Sequence, residues 1–146
     1  MPGLRDRAQV RMSKVRIDDD LQDLAPSAWQ DEVEQGLLRG GNLFCESYLF
    51  HKASRTLILC DTIQNLEPVK LPPITRIMAR LAGGTHATTA HHVRTALRFG
   101  GAETRAAIQR MIGLNPERVL FAHGVSFEED AARKLRNAFR WTGDIT

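Results

Sequence analysis

The pattern of hydrophobic and polar residues between positions 33 and 60 is typical of β-strands. Residues 44–50 alternate bulky with small or polar side chains, which predicts a half-buried strand. Residues 33–38 are a second candidate strand, and the Gly-Gly-Asn turn at 40–42 separates the two. Residues 55–60 follow a short connection and predict a strand that pairs back on the second. The pattern therefore predicts an antiparallel meander.

Helical periodicity replaces this alternation later in the chain. Residues 74–81 predict a helix that ends at a Gly-Gly pair, and its apolar face consists of Ile74, Ile77, Met78 and Leu81. Residues 102–112 predict another helix, and its apolar stripe consists of Ala102, Ala106, Ile108, Met111 and Ile112. The sequence of residues 85–100 favours neither a helix nor a strand.

A strand and a helix are predicted at the end of the chain. The short apolar run at residues 119–122 is typical of a strand covered on both faces. Ser126 is the predicted N-cap of the final helix, because Glu129 three residues later completes a capping box. Acidic residues precede basic ones, which complements the helix dipole. The predicted buried face consists of Ala131, Leu135, Ala138 and Phe139.

The order of these elements predicts an α+β fold, with helices against one face of an antiparallel or mixed sheet. The chain has 146 residues, the usual size of one domain, so residues 1–146 are expected to form a single domain. Before the sheet, residues 3–12 predict a short helix and residues 13–31 an irregular segment. The composition is 42% hydrophobic and 25% charged, which is ordinary for a soluble globular protein.

The net charge of +3 is concentrated near the start of the chain, where residues 1–16 hold five basic residues and one acidic residue. A basic segment of this kind can contact phosphate groups or remain a solvated surface. It contains no aromatic residue to stack on a base, so nucleic-acid binding is not expected. The acidic run at residues 18–20 lacks the spacing of a calcium loop and is interpreted as a solvated turn.

Cys45 and Cys60 are the two cysteines of the chain, and both are expected to be buried thiols. No CxxC pair is present, which argues against a zinc finger. The first residues lack the apolar core of a signal peptide, and no segment approaches the roughly 18 apolar residues that span a bilayer. The chain is therefore predicted to be cytoplasmic, with no membrane partner.

Two predicted strands are each followed by a residue that can bind a metal. Asp61 follows the apolar run 57–60, and His123 follows the apolar run 119–122. Ligands gather at the carboxyl ends of strands in layered α/β folds, so the two side chains are candidates for one site. Asp61 has an alternative role as a turn residue that caps the backbone, and His123 has one as a core histidine bonded to a carbonyl.

The other histidines are weaker candidates. His86, His91 and His92 lack the H-x3-H spacing that places two imidazoles on one helix face, so they are expected to lie in a surface loop. His51 lies at a strand end beside Lys52, where it is a candidate to line a cleft. Cys60 and Asp61 are adjacent, so their side chains are expected to point to opposite faces of a strand.

The segment Phe50-His51-Lys52-Ala53-Ser54-Arg55-Thr56-Leu57-Ile58-Leu59-Cys60-Asp61, with Asn65 after it, resembles an uncharacterised bacterial family within the metallo-β-lactamase superfamily. So do Pro116-Glu117-Arg118-Val119-Leu120-Phe121-Ala122-His123-Gly124 and the later Ala138-Phe139-Arg140-Trp141. The resemblance extends from about residue 2 to residue 142 and indicates no particular substrate.

The resemblance implies an αββα sandwich with metal ions, zinc above all, at the edge of its sheets. It implies that Asp61 is the carboxylate that bridges two metals and that His123 is the last histidine ligand. Near Asn42, where the superfamily has another histidine, Glu46 is a further candidate oxygen ligand. His51 and Asn65 complete the candidates to line the site.

The H-x-H-x-D-H motif, which supplies most ligands in that superfamily, is absent from the sequence. The chain therefore resembles only the C-terminal half of the sandwich, with an incomplete metal site. Such a half would expose the apolar sheet face that the other half normally covers, so a homo-oligomer or a chain supplying the other half is the expected partner. The alternative is a non-catalytic α+β module for interaction or oligomerisation.

Overall fold

The computed structural model describes residues 22–143, which form two sheets and a set of short helices. The predicted helix at 3–12, the basic segment 1–16 and the acidic run 18–20 lie outside the described residues. The strands are β1 (Val33–Gly40), β2 (Phe44–His51), β3 (Thr56–Ile58), β4 (Gln64–Asn65), β5 (Arg118–Leu120) and β6 (His123–Gly124). The helices are α1 (Pro73–Leu81), α2 (His91–Arg98), α3 (Gly101–Gly113) and α4 (Ala131–Ala138), with 3-10 turns at Pro68–Lys70 and Arg140–Thr142.

The larger sheet has the order β1-β2-β3-β5. The first three strands are antiparallel neighbours, which confirms the predicted meander. β5 returns from the helical region and pairs parallel to β3, with Leu57 opposite Val119. A smaller sheet joins β4 to β6, also in parallel. The fold is therefore α+β with a mixed sheet, as the order of elements predicted.

The core lies between one face of the larger sheet and the helices α2, α3 and α4. Tyr48, Leu57 and Val119 project from the strands and have no accessible surface. Leu97, Met111 and Leu135 meet them from the three helices. Burying this many apolar side chains in one layer is the main stabilising contribution of the fold. No helix within residues 22–143 combines the length and apolar composition that a bilayer crossing requires.

The final helix differs from its prediction at its start. α4 begins at Ala131 and its N-cap is Asp130, so Ser126 does not cap it. The reason is a backbone bridge, in which Val119 and Phe127 exchange two hydrogen bonds of 2.8 and 2.9 Å. This bridge extends the chain through residues 125–127 and buries Phe127. The predicted buried face is confirmed, since Ala131, Leu135, Ala138 and Phe139 are all buried.

The other helices confirm the positions of two predictions, but the buried residues do not follow the predicted apolar stripes. The helix expected at 74–81 is present as α1, but its apolar face is exposed and only Ala79 is buried. In α3, Ala102 and Ala106 are exposed, while Thr104 and Ala107 are buried. α2 occupies part of the stretch 85–100 that showed no clear pattern.

Both cysteines are exposed, so the prediction of buried thiols is wrong. Cys45 lies on β2 opposite Arg39, on the face of the sheet that α2 to α4 do not cover. Cys60 lies beyond the end of β3, where the strand no longer determines which face a side chain takes. The apolar character of a cysteine therefore did not decide its position.

Candidate metal site

The parallel pairing of β3 with β5 brings Asp61 and His123 together. Hydrogen bonds continue past the strand ends, from Leu59 N to Leu120 O at 2.9 Å and from Ala122 N to Cys60 O at 3.2 Å. Parallel neighbours end at the same edge of a sheet, so the residues that follow each strand become neighbours. The apolar residues 57 and 119 anchor the two strands in the core, and the polar residues emerge at the edge.

The two side chains are in direct contact. His123 Nε2 lies 2.7 Å from Asp61 Oδ1, although the residues are 62 positions apart in the chain. The imidazole N–H donates and the carboxylate accepts in this contact. About half of each side chain is accessible, 46% for His123 and 55% for Asp61. The pair thus lies open at the surface and can reach a ligand.

The small sheet fixes the backbone on both sides of the pair. Gln64 lies opposite His123, and Asn65 lies opposite Gly124. Val125 N donates to Asn65 O at 3.0 Å, and Asn65 Nδ2 donates to Val125 O at 2.8 Å. Asn65 therefore connects the two loops through its side chain as well as its backbone. Its side-chain amide makes no hydrogen bond to the carboxylate of Asp61.

Gly124 is the residue that lets these two loops approach so closely. Its φ of +104° lies in the region that L side chains rarely adopt. A Cβ at this position would also collide with the backbone of Asn65. A glycine directly after His123 is therefore required by the geometry that holds the imidazole beside Asp61.

Glu46 holds the loop that carries Asp61. Its Oε1 accepts the N–H of Cys60 at 2.7 Å, and its Oε2 accepts the N–H groups of Asp61 and Thr62, both at 2.8 Å. The side chain is buried under the loop. Burial raises the pKa of Glu46 above its ordinary value, while the backbone donors oppose that shift. This carboxylate faces the backbone, and the structure does not bring it to the Asp61–His123 contact.

The chain matches no protein-family model, no curated protein and no solved structure. The function of the Asp61–His123 pair is therefore inferred from its geometry. Imidazole nitrogen and carboxylate oxygen are a usual mixed ligand set for zinc, so the residue types fit this metal. A catalytic zinc has about three protein ligands, and residues 22–143 contain no group of three or more side chains placed to hold an ion. An aspartate and a histidine are suitable zinc ligands, but two ligands are too few for a complete catalytic site.

His51 lies at the other end of β3 from Asp61. It pairs with Thr56, where β3 begins, whereas Asp61 follows the end of that strand. Its Nδ1 lies 2.7 Å from Ser54 Oγ, which donates to Thr56 Oγ1 at 2.8 Å. His51 therefore orders the turn between β2 and β3 and is not brought to the pair.

Cys60 lies beside the Asp61–His123 pair, although its side chain was expected on the opposite face of the strand from Asp61. Its Sγ lies 3.7 Å from Asp61 Oδ1, so the two side chains do not point to opposite faces as predicted. Partial desolvation of the exposed sulfur and the neighbouring carboxylates raise the pKa of this thiol, which favours the protonated form over the nucleophilic thiolate. The early end of β3 at Ile58 explains the difference, because strict alternation stops there.

The remaining histidines do not join the pair. His86 contacts Thr85, its chain neighbour, through Nδ1 at 3.3 Å. His91 and His92 begin α2, and the surface loop expected there is replaced by a helix. Both are exposed on that helix.

Proposed function

We propose that this chain is the C-terminal half of a metallo-β-lactamase-like αββα sandwich and contributes Asp61 and His123 to a hydrolase-type zinc centre. The remaining ligands come from the other half of the fold. The substrate class belongs to that complete protein. In this chain the two side chains are ligands, and neither is assigned as a general base.

The observation that carries this proposal is the 2.7 Å contact between His123 Nε2 and Asp61 Oδ1 at adjoining strand ends. Two features add support. The contact is accessible at the edge of the larger sheet, and the buried Glu46 orients the Asp61 loop through three backbone hydrogen bonds. Ligands that are held by such supporting hydrogen bonds lose little entropy when a metal binds.

Zinc in a complete centre lowers the pKa of a bound water and so generates a nucleophile. Two protein ligands are fewer than the about three that a catalytic zinc uses. The chain by itself is therefore expected to bind zinc weakly and to hydrolyse no substrate at an appreciable rate. Its own contribution is to hold one imidazole nitrogen and one carboxylate oxygen side by side at the sheet edge.

Zinc titration of the purified chain against a chelating indicator tests the proposal. We expect Asp61→Ala and His123→Ala each to weaken zinc binding at least about tenfold, since even residues behind the ligands cost that much in metal sites. Asp31→Ala and His86→Ala are matched controls, because both residues are exposed and lie outside the pair. Equal zinc affinity in all four variants would remove the proposed ligand role.

A second candidate function is a non-catalytic module for interaction or oligomerisation. Its support is a continuous apolar row on the uncovered face of the larger sheet, where Leu49, Ile58 and Leu120 are direct cross-strand neighbours. Ile58 and Leu120 are 40% and 38% exposed. An apolar row on an open sheet face favours a covering partner. In the proposed sandwich the same face meets the other half, so the two functions share this surface.

A further inference from the structure

A cleft separate from the metal-ligand pair lies between α2, α3 and the 3-10 turn Arg140–Thr142. Its volume is about 160 Å³, and neither Asp61 nor His123 lines it. Leu97 and Ile108 form an apolar floor, since each side chain is only 1% exposed and both line the cleft. A recess of this size accommodates a small molecule and not a polymer.

Two positively charged side chains that have no acidic partner among residues 22–143 line the cleft. Arg98 and Arg105 line it and are exposed, and no salt bridge of residues 22–143 joins either of them to a carboxylate. Other arginines of this part of the chain, such as Arg39 and Arg55, do have acidic partners. Two guanidinium groups together carry ten N–H donors. Those that contact only solvent are available to an incoming anion.

Trp141 forms an aromatic wall of the same cleft. The Cζ atoms of Arg94 and Arg98 both lie 5.9 Å from the centre of its rings. Arg94 is itself held in place, because it donates to Thr89 O at 2.7 Å and to Thr88 Oγ1 at 2.9 Å. Cation–π contacts from two arginines fix the indole next to the apolar floor, where it can pack against a flat or aliphatic group.

The first turn of α3 keeps the cleft open. Gly101 lines it, and no atom lies within 4 Å of the place where a side chain on this residue would begin. The helix N-cap makes no side-chain hydrogen bond to the first turn. The unpaired N–H groups of a helix start favour negative charge, and the one acidic residue of this turn, Glu103, pairs with Arg39.

We propose that this cleft binds a small organic anion. Its carboxylate or phosphate pairs with Arg98 and Arg105, and its apolar part packs against Trp141 and the floor of Leu97 and Ile108. Ligands of this class have an acidic group attached to a compact hydrophobic group. This inference does not depend on the metal-ligand pair, because no residue of that pair contributes to the cleft.

Tryptophan fluorescence tests the proposal directly. The chain has two tryptophans, so a Trp29→Phe background leaves Trp141 as the sole indole reporter. We expect benzoate or phenyl phosphate to change its emission saturably, and benzyl alcohol and inorganic phosphate to bind at least about tenfold more weakly, because each lacks one of the two features. If benzoate alone binds, the site prefers carboxylates, and if phenyl phosphate alone binds, it prefers phosphates.

Charge-removing variants in the same background identify the residues. Arg98→Gln and Arg105→Gln are expected to weaken binding of the preferred anion by about tenfold each, the usual loss for a hydrogen bond to a charged group. Arg80→Gln is the matched control, since Arg80 is exposed on α1 and outside the cleft. Circular dichroism of each variant checks that the fold is retained. Equal binding of benzyl alcohol and benzoate, an equal loss in Arg80→Gln, or no saturable change with either anion would overturn the proposal.

Discussion

Glu46 projects from β2 under the loop that carries Asp61, and its carboxylate accepts three consecutive backbone N–H groups. These N–H groups have no strand partner, because β3 has ended at Ile58. Buried N–H groups without an acceptor are costly, so the carboxylate replaces the hydrogen bonds that the sheet no longer supplies. Glu46 is thus best understood as the residue that positions Asp61.

Glu46→Gln is predicted to destabilise the chain. The amide keeps one acceptor oxygen and places an N–H₂ group against backbone donors, so at least one buried N–H loses its partner. We expect the free energy of unfolding to fall by about 1 to 3 kcal/mol, measured by urea denaturation. Glu129→Gln, an exposed control, is expected to change it by less than about 0.5 kcal/mol.

The pH dependence of this loss follows from the raised pKa of Glu46. Folding favours the protonated carboxyl, so this contribution is fully present below the ordinary pKa of 4.5 and is lost as the pH rises through the folded-state pKa. The stability advantage of the native protein over Glu46→Gln should therefore shrink with rising pH across that window. An advantage that grows with pH would contradict the assignment of burial as the dominant cause.

Among the elements, α4 shows how a tertiary contact overrides a local signal. The residues that resemble a capping box lie in the segment that bridges to β5. With Ser126 as the N-cap the helix would begin at Phe127, whereas it begins four residues later, at Ala131. Phe127 gains burial and an edge-on contact with Phe121, with ring centres 5.1 Å apart. An N-cap contributes about 1 kcal/mol, whereas burial of a phenylalanine contributes several.

Paired substitutions distinguish these two contributions. Phe127→Ala is expected to lower the free energy of unfolding by about 3 to 5 kcal/mol, because the side chain is almost fully buried. Ser126→Ala is expected to change it by less than about 0.5 kcal/mol, because Ser126 caps no helix. Urea denaturation of both variants measures the difference. A loss of about 1 kcal/mol in Ser126→Ala would indicate that the serine caps the helix after all.

On the scale of the whole molecule, the described residues leave two apolar surfaces uncovered. The first is the sheet row of Leu49, Ile58 and Leu120. The second is the stripe of α1, where Ile74, Ile77, Met78 and Leu81 are between 58% and 75% exposed. Burial of apolar surface is worth about 25 cal/mol per Å², so both surfaces favour association. The helices of the core leave the sheet row free because they pack on the opposite face of the sheet, and in α1 only Ala79 is buried.

The isolated chain is predicted to self-associate through the sheet row when the other half of the fold is absent. Size-exclusion chromatography with light scattering should show a species larger than a monomer for the native chain. Leu120→Lys should shift it towards the monomer, because a charge on the row must be desolvated in any contact. Leu43→Lys is the control, since Leu43 is a single exposed residue in the β1–β2 turn.

Ile77→Lys separates the α1 stripe from the sheet row in the same experiment. We expect Leu120→Lys to have the larger effect, because the sheet row is the surface that the proposed sandwich covers. A native chain that elutes as a monomer at all concentrations would contradict the prediction. An equal shift for Leu43→Lys would show that the charge acts generally and not at this row.

The sequence by itself determined the α+β class, the antiparallel meander and the identity of the pair at the strand ends. These features follow from short-range patterns: alternation of apolar residues defines the strands, and a polar residue directly after an apolar run defines an end. The expected proximity of Asp61 to His123 required only that the two strands be neighbours, which the β3–β5 pairing fulfils.

Only the tertiary structure decided the roles of Glu46, Ser126 and the α1 stripe. Each depends on contacts between residues far apart in the chain: Glu46 bonds to the backbone 14 to 16 residues later, and Phe127 pairs with Val119. Local periodicity predicts that a helix has an apolar face, as in α1. It does not predict whether other residues of the chain cover that face. Packing makes that decision, because buried area depends on which surfaces the rest of the chain brings together.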